Sequence, residues 1–390
     1  MSRFNSLVAK LAPPPIPSVQ AWARAYDGRH GSLIDLSQAA PGYPPPPDFL
    51  AKLGEAAASP STATYGRIEG EPALRAALAA HQSELYDASL APETIHITAG
   101  CNQAFVCAAL ALAEPGSRVL LSNPYYFNHD TSLSMLGIRT GLVDCPAETA
   151  FLPSPDAVRA AIAGDVRALA IVSPNNPTGA GYPPELLDAI FDVCRAHGVW
   201  LIIDETYRDF LPAEKRRPHG LFSRPDWGDT LISLYSFSKC FCIPGHRVGA
   251  VTAHPAVVAE VAKVMDNLQI CAPRVGQVAL AAALATMVDW REANRREINA
   301  RARRLREVMA NAPAWRLAAV GAYFAFVRHP LRGTPSAVVA ERLAKESGVV
   351  AVPGGYFGPG QEDFLRFAFA NADVATIGRL AERLTALAAE

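Results

Sequence analysis

A lysine in a short serine-containing run, with an arginine eight residues later, is the pairing in this chain that points most directly to chemistry: Ser236-Phe237-Ser238-Lys239, then Gly245-His246-Arg247-Val248-Gly249. A lysine amine can condense reversibly with an aldehyde, while two hydroxyls and a forked guanidinium can grip a phosphate. The other lysines are Lys10, Lys52, Lys215, Lys263 and Lys345, and only Lys239 closely follows a predicted strand. Taken alone, a loop lysine is usually a solvated charge. The reading therefore depends on whether the remaining needs of an aldehyde–phosphate cofactor are met elsewhere.

Those needs are a buried carboxylate to keep a ring nitrogen protonated, a stacking surface, phosphate donors, and an arginine for a carboxylate substrate. Asp204 closes the apolar run 199–204 (VWLIID), where a carboxylate is costly to bury unpaired; its partner is either Arg208 or a protonated ring nitrogen. Tyr207, three residues on, can hydrogen-bond a phenolic oxygen. Asn176, in the turn 173–179 (SPNNPTG), falls at the same sheet edge, although Asn, Pro and Gly there also suit a plain tight turn. Gly100, Cys101 and Asn102, in TAGCNQA at 98–104, join a strand to a helix whose first N–H groups can hold an anion. Many strand–helix turns look the same, so this signal is weak alone. After Asn123-Pro124 come Tyr125, Tyr126 and Phe127, any of which can stack on a ring or simply pack in a core.

The elements that would position these residues follow a rhythm. Strands are expected near 94–98, 117–122, 139–143, 168–172, 199–204, 231–236 and 248–253, with helices near 72–82, 102–113, 129–136, 155–163 and 184–197 between them. Alternation of this kind argues for a mainly parallel sheet between helices, with ligands at the carboxyl ends of its strands. From about residue 274 a long helical region to 311, strands near 315–319, 322–328 and 364–370, and helices near 336–346 and 373–389 read as a smaller α+β lobe. Residues 1–30 read as an arm, because Pro13, Pro14, Pro15 and Pro17 oppose a regular helix.

At 390 residues and 50 % hydrophobic, the chain can bury two lobes. A formal net charge of −1 gives no bulk attraction to nucleic acid or an acidic membrane. Seven cysteines without a CxxC pair fit reduced thiols in a cytoplasmic protein, and no metal-type spacing occurs. The N-terminus lacks a secretory apolar run, and the apolar stretch 274–288 is interrupted by Arg274 and Gln277, so a buried helix is expected in place of a membrane span.

Six motifs then stand in one order: TAGCNQA, PYYF, SPNNPTG, DETY, SFSK with HRVG, and LRFAFA. In these the chain resembles the class I/II aminotransferases of the pyridoxal 5'-phosphate (PLP) fold-type I superfamily. The resemblance implies an α/β large domain with a mainly parallel sheet, divided as 1–44 (arm and part of the small domain), 45–275 (large domain) and 276–390 (small domain). It implies that Lys239 holds the cofactor aldehyde and shuttles the proton. Asp204 would pair with the ring nitrogen, and Tyr207 and Asn176 with the phenolic oxygen. Gly100, Cys101, Asn102, Ser236, Ser238 and Arg247 would surround the phosphate. Tyr126, by position, is the stacking residue in preference to Tyr125. Arg366 matches the fork for the substrate α-carboxylate, with Asn176 beside it. Tyr65, in Tyr65-Gly66, matches a tyrosine that reaches the phosphate of a neighbouring subunit, implying a homodimer with shared sites.

The activity implied is transfer of an amino group between an L-amino acid and a 2-oxo acid by a ping-pong cycle. A PLP-dependent C–S β-lyase and a non-catalytic protein that kept the fold are the rivals. One departure stands out: where the family often has Gly-x-Pro, this chain reads Ala39-Ala40-Pro41, which places a methyl group on the substrate side. Tyr43, Tyr125, Tyr323 and Tyr356 either line a pocket for large apolar substrates or pack in the core.

Overall fold

The computed structural model describes residues 3–388, so positions 1–2 of the arm and 389–390 of the small lobe lie outside it. Seven strands form the main sheet in the spatial order Ile95–Thr98, Gly249–Thr252, Leu231–Ser236, Trp200–Asp204, Val166–Val172, Arg118–Asn123, Arg139–Asp144. Its central strands explain why the sequence reads so clearly there. Along Val166–Val172, Leu169 and Ile171 enter the core on one face, while Ala168 and Ala170 enter the core on the other. A strand packed on both faces is apolar nearly throughout, with Arg167 near its start the exposed exception here. Helix Pro184–Ala196 covers the first face and Cys101–Leu112 the second.

The sheet is parallel except at Gly249–Thr252, which runs antiparallel to both neighbours. The register aligns Val172 with Asp204 and Asp204 with Leu234, so the loops that follow three adjacent parallel strands open at one edge. Asn176 and Tyr207 lie in these loops, and Lys239 lies in the short helix Phe237–Cys240 that follows the third strand. Helix Val288–Ala310 leads to the smaller lobe, whose four antiparallel strands run in the order Val352–Pro353, Phe364–Phe367, Phe324–Arg328, Arg316–Gly321. Ile34–Asp35 pairs in parallel with Val349–Val350, tying the N-terminal region to that lobe.

The structure corrects the sequence reading in several places. Residues Pro15–Arg24 form a helix within the arm. Pro14 is its N-cap, and Pro15 and Pro17 occupy its first turn, where backbone N–H groups have no intrahelical acceptor and proline costs little. Helices Pro47–Ala58 and Pro255–Gln269 also escape the sequence reading, each beginning with proline at the same tolerant position. The helical region expected over 274–311 is broken at Met287, and the last predicted helix is two short ones, Val374–Gly378 and Leu380–Ala388. Strand Phe364–Phe367 ends where a 3-10 turn at Phe369–Asn371 begins, three residues short of the expected boundary.

Candidate active site

The loops at the sheet edge, the 37–40 segment and strand Phe364–Phe367 enclose a cavity of about 430 Å³. Two larger clefts, of about 740 and 680 Å³, contain none of the predicted site residues. Size therefore does not mark this site; the convergence of buried charge does. Ala39, Cys101, Asn102, Tyr126, Asn176, Asp204, Tyr207, Ser236, Ser238, Lys239, Arg247 and Arg366 all line the smaller cavity.

At one end lies an anion cup. Gly100 (φ 86°) is the N-cap of helix Cys101–Leu112, whose first N–H groups have no acceptor within the helix. A Cβ at Gly100 would collide with the Arg247 guanidinium, so glycine is what lets this charge sit over the helix end. Arg247 is itself held in the left-handed region (φ 51°), with Nη1 donating to the Pro244 carbonyl at 2.9 Å. Ser236 Oγ accepts from the Ser238 N–H at 3.2 Å, and Ser238 Oγ is buried with no partner within the protein. Backbone donors, two hydroxyls and a guanidinium thus face one point, the donor set a phosphate requires.

Asp204 lies at the cavity floor, 5 % exposed. Burial pushes its carboxyl up, but His129 and Thr206 more than offset this and hold it below the usual carboxylate range. His129 Nε2 approaches Asp204 Oδ2 at 3.5 Å, and the Thr206 N–H donates to Oδ1 at 2.9 Å. His129 stacks on Phe105 at 4.0 Å and meets Tyr126 edge-on at 5.3 Å. The result is a preformed buried anion that suits a protonated ring nitrogen.

His129 and Thr206 are absent from the sequence-derived set. Signals for both existed: His129 is three residues after Tyr126 on helix Phe127–Met135, and Thr206 is two after Asp204, the spacing of an Asx turn.

Tyr126 lines the cavity, with its hydroxyl accepting from Asn128 Nδ2 at 2.8 Å, whereas Tyr125 does not line it. Tyr207 is buried between the site and the small lobe, and burial holds its phenol well above the usual range. Arg366 joins the two lobes: Nη1 donates to Asn176 Oδ1 at 3.1 Å and Nη2 to the Ser37 carbonyl at 2.5 Å. The rings of Phe324 and Phe357 flank it at 5.0 and 5.1 Å, and its Nε has no partner. Burial lowers its guanidinium to about 10, which leaves it charged at neutral pH.

Lys239 Nζ reaches the Ala39 carbonyl at 2.5 Å. Ala39 therefore meets the lysine through its backbone, while its methyl replaces a hydrogen at the cavity wall. Burial first, then repulsion from Arg247 and Arg366, lowers the Lys239 ammonium to about 8. Its folded value lies below the unfolded one, so between pH 8 and 10.5 the unfolded chain binds more protons and stability rises with pH. For the cofactor-free protein, wild type should gain about 3 kcal/mol of stability relative to Lys239→Met across that window. Chemical denaturation at stepped pH checks this; a flat difference would contradict a buried, depressed ammonium.

Five of the tyrosines singled out in the sequence stand away from this chain's cavity. Tyr65 is 77 % exposed and does not line the cavity. Tyr43, Tyr125, Tyr323 and Tyr356 also lie outside the lining. Tyr43 packs edge-on against Trp290, and Tyr323 against Tyr207 and Phe210, as core residues do.

A two-lobed α/β protein with a lysine, a buried carboxylate and an anion cup at one sheet edge is the architecture of PLP enzymes of fold type I. Residues 32–384 match the family described as aminotransferase class I and II, and the chain belongs to that family. Among relatives, an aromatic aminotransferase of Arabidopsis thaliana is 28 % identical, with 98 % of this chain and 96 % of that protein aligned. An arginine–pyruvate transaminase of Pseudomonas aeruginosa is 30 % identical over 77 % of each chain. A solved mutant of Thermus thermophilus aspartate aminotransferase superposes with a TM-score of 0.89, covering 99 % of this chain and 100 % of that one at 25 % identity. The protein is a PLP-dependent aminotransferase whose substrates are an amino acid and a 2-oxo acid.

Proposed function

We propose that this chain carries out both half-reactions of transamination at the cavity around Lys239, with each side chain in the role its surroundings suit. The observation that carries this reading is the convergence of Lys239, Asp204, Arg247 and Arg366, four buried or cavity-facing charges from four segments, on one space. When bound, PLP supplies an aldehyde that captures the amino group and a ring that takes up the electron pair left at Cα. The anion cup of Cys101, Asn102, Ser236, Ser238 and Arg247 fixes the phosphate end, and the unpartnered Ser238 hydroxyl is a free donor for it. Asp204, oriented by His129 and Thr206, keeps the ring nitrogen protonated. Tyr126 covers a ring face, and Tyr207 and Asn176 serve the phenolic oxygen.

Arg366 holds the substrate α-carboxylate with its free Nε and a guanidinium already aligned by Asn176 and Ser37. Lys239 would hold the cofactor aldehyde and, with its amine free, would be the base that takes up and carries the substrate Cα proton. Its depressed ammonium suits that work, because a base is most effective with a pKa close to the working pH. Aminotransferase action requires a 2-oxo acid acceptor for turnover. Release of pyruvate and ammonia from a cysteine conjugate without an acceptor would instead favour a C–S β-lyase.

The same reading makes the enzyme a cytoplasmic homodimer with shared sites. Tyr65 is exposed on a segment held by Arg274, which donates to the Thr64 carbonyl at 3.1 Å and to Glu71 at 2.5 Å. Ile270 and Leu268 are exposed beside it, since the Gly66 N–H reaches Cys271 Sγ at 3.4 Å. An exposed tyrosine on a fixed loop next to an apolar patch suits contact with a second copy. Six of the seven cysteines are buried and all are unpaired, in keeping with a reducing compartment. Among the described residues, no helix is long and apolar enough to cross a membrane.

Tyr65→Ala should lower turnover about 10-fold or more, as loss of a charge-assisted phosphate bond would. Unfolding and refolding it together with inactive Lys239→Ala should restore activity toward about a quarter of wild type, because half of the random dimers carry one intact site. A monomer in solution, or a mixture no more active than its components, would refute the shared site.

A further inference from the structure

The cavity holds three cations and one carboxylate, and each has a task under the reading above, on which this inference rests. Arg247 belongs to the anion cup, Arg366 to the α-carboxylate, Lys239 to the amine and Asp204 to the ring nitrogen. Among the described residues no further charged side chain lines the space. What remains on the Arg366 side is Ile16, Phe127, Ala39 and Ala40, with Ser37 and Gln38 as the polar members.

Ile16 and Phe127 belong to one apolar cluster, while Ala39 packs against the main core. Phe357 flanks the Arg366 guanidinium at 5.1 Å, and Phe127 packs on Phe357 at 5.5 Å. Ile16, in the first turn of helix Pro15–Arg24, packs into the same cluster. An amino acid fixed by its carboxylate at Arg366 and by its nitrogen at Lys239 therefore turns its side chain toward Ile16 and Phe127. We infer that this chain contributes no charge to the side-chain subsite, and that the enzyme selects amino acids with uncharged, largely apolar side chains over dicarboxylic or dibasic ones. A second carboxylate or an ammonium here would lose water without gaining a partner.

The test uses the holoenzyme with one fixed 2-oxo acid. Phenylalanine, leucine and methionine should exceed aspartate, glutamate and arginine by at least about 100-fold in kcat/KM, as expected when a buried polar group is left unpaired. Spectral titration with analogues that cannot lose a Cα proton gives a readout without turnover: α-methylphenylalanine should bind at least about 100-fold tighter than α-methylaspartate. Ile16→Ala should weaken the first several-fold and leave the second unchanged. Ile16→Arg should narrow the gap at least about 10-fold by supplying the missing charge. Aspartate or arginine turning over as well as phenylalanine, or Ile16→Ala weakening both analogues equally, would overturn the subsite and leave transamination standing. Ammonia release from these donors without any 2-oxo acid would overturn transamination and the inference together.

Discussion

Lys239→Ala should lower transamination by about 10⁴-fold or more, while the protein still folds and still binds PLP. The size follows from the two roles the lysine combines. A positioned acid–base group contributes about 10²–10⁴-fold, and no other side chain in the cavity can replace it. Asp204 is held as an anion by His129 and Thr206, Arg366 is bonded to Asn176 and Ser37, and burial keeps the Tyr207 phenol protonated. Cofactor affinity should fall much less, since the anion cup is built from Gly100–Asn102, Ser236, Ser238 and Arg247. Lys239→Arg should not rescue turnover, because its guanidinium keeps its proton across the working range. Single-turnover absorbance of the PLP-loaded variant with an amino donor measures the loss. A variant retaining a tenth of wild-type rate would mean that another base moves the proton.

Asp204→Asn should be the next most damaging change, lowering kcat by about 10²–10³-fold, the scale for removing one preorganised electrostatic group. The geometry explains why the amide cannot substitute. The introduced carboxamide would keep the bond from the Thr206 N–H but lose the negative charge that faces the ring nitrogen. His129 would be left beside a neutral group, so its 3.5 Å contact with position 204 would no longer be charge-assisted. His129→Leu separates the two contributions: it leaves the carboxylate but removes its orienting partner, and should cost less, about 10-fold. Phe105, which stacks on His129 at 4.0 Å, should hold the packing in that variant. Equal losses in Asp204→Asn and His129→Leu would point to a structural effect in place of an electrostatic one.

Much of this site is legible in the sequence because its parts sit at strand ends. Residues 199–204 form an apolar run that Asp204 closes, and Lys239 stands three residues past the buried strand Leu231–Ser236. Lys239 and Asp204 emerged for that reason. Arg366 emerged only through resemblance, since an arginine within a short apolar strand has no meaning until its partners Asn176 and Ser37, 190 and 329 residues away, are known. His129 was hidden because it acts through Asp204, which lies beyond two intervening strands in sequence. The helix Pro15–Arg24 was hidden because a proline-rich run looks hostile to helices until it is seen that Pro15 and Pro17 occupy only the first turn. That miss concealed Ile16, which shapes the substrate side of the cavity.

The most direct test of the central claim follows the absorbance of the purified, PLP-loaded protein through both half-reactions. The visible band should disappear on adding one equivalent of a reactive amino acid, with one equivalent of 2-oxo acid formed per site. It should return in full when a different 2-oxo acid is added, with release of the corresponding amino acid. A band that persists with every donor, or returns without an acceptor while ammonia accumulates, would contradict transamination at Lys239.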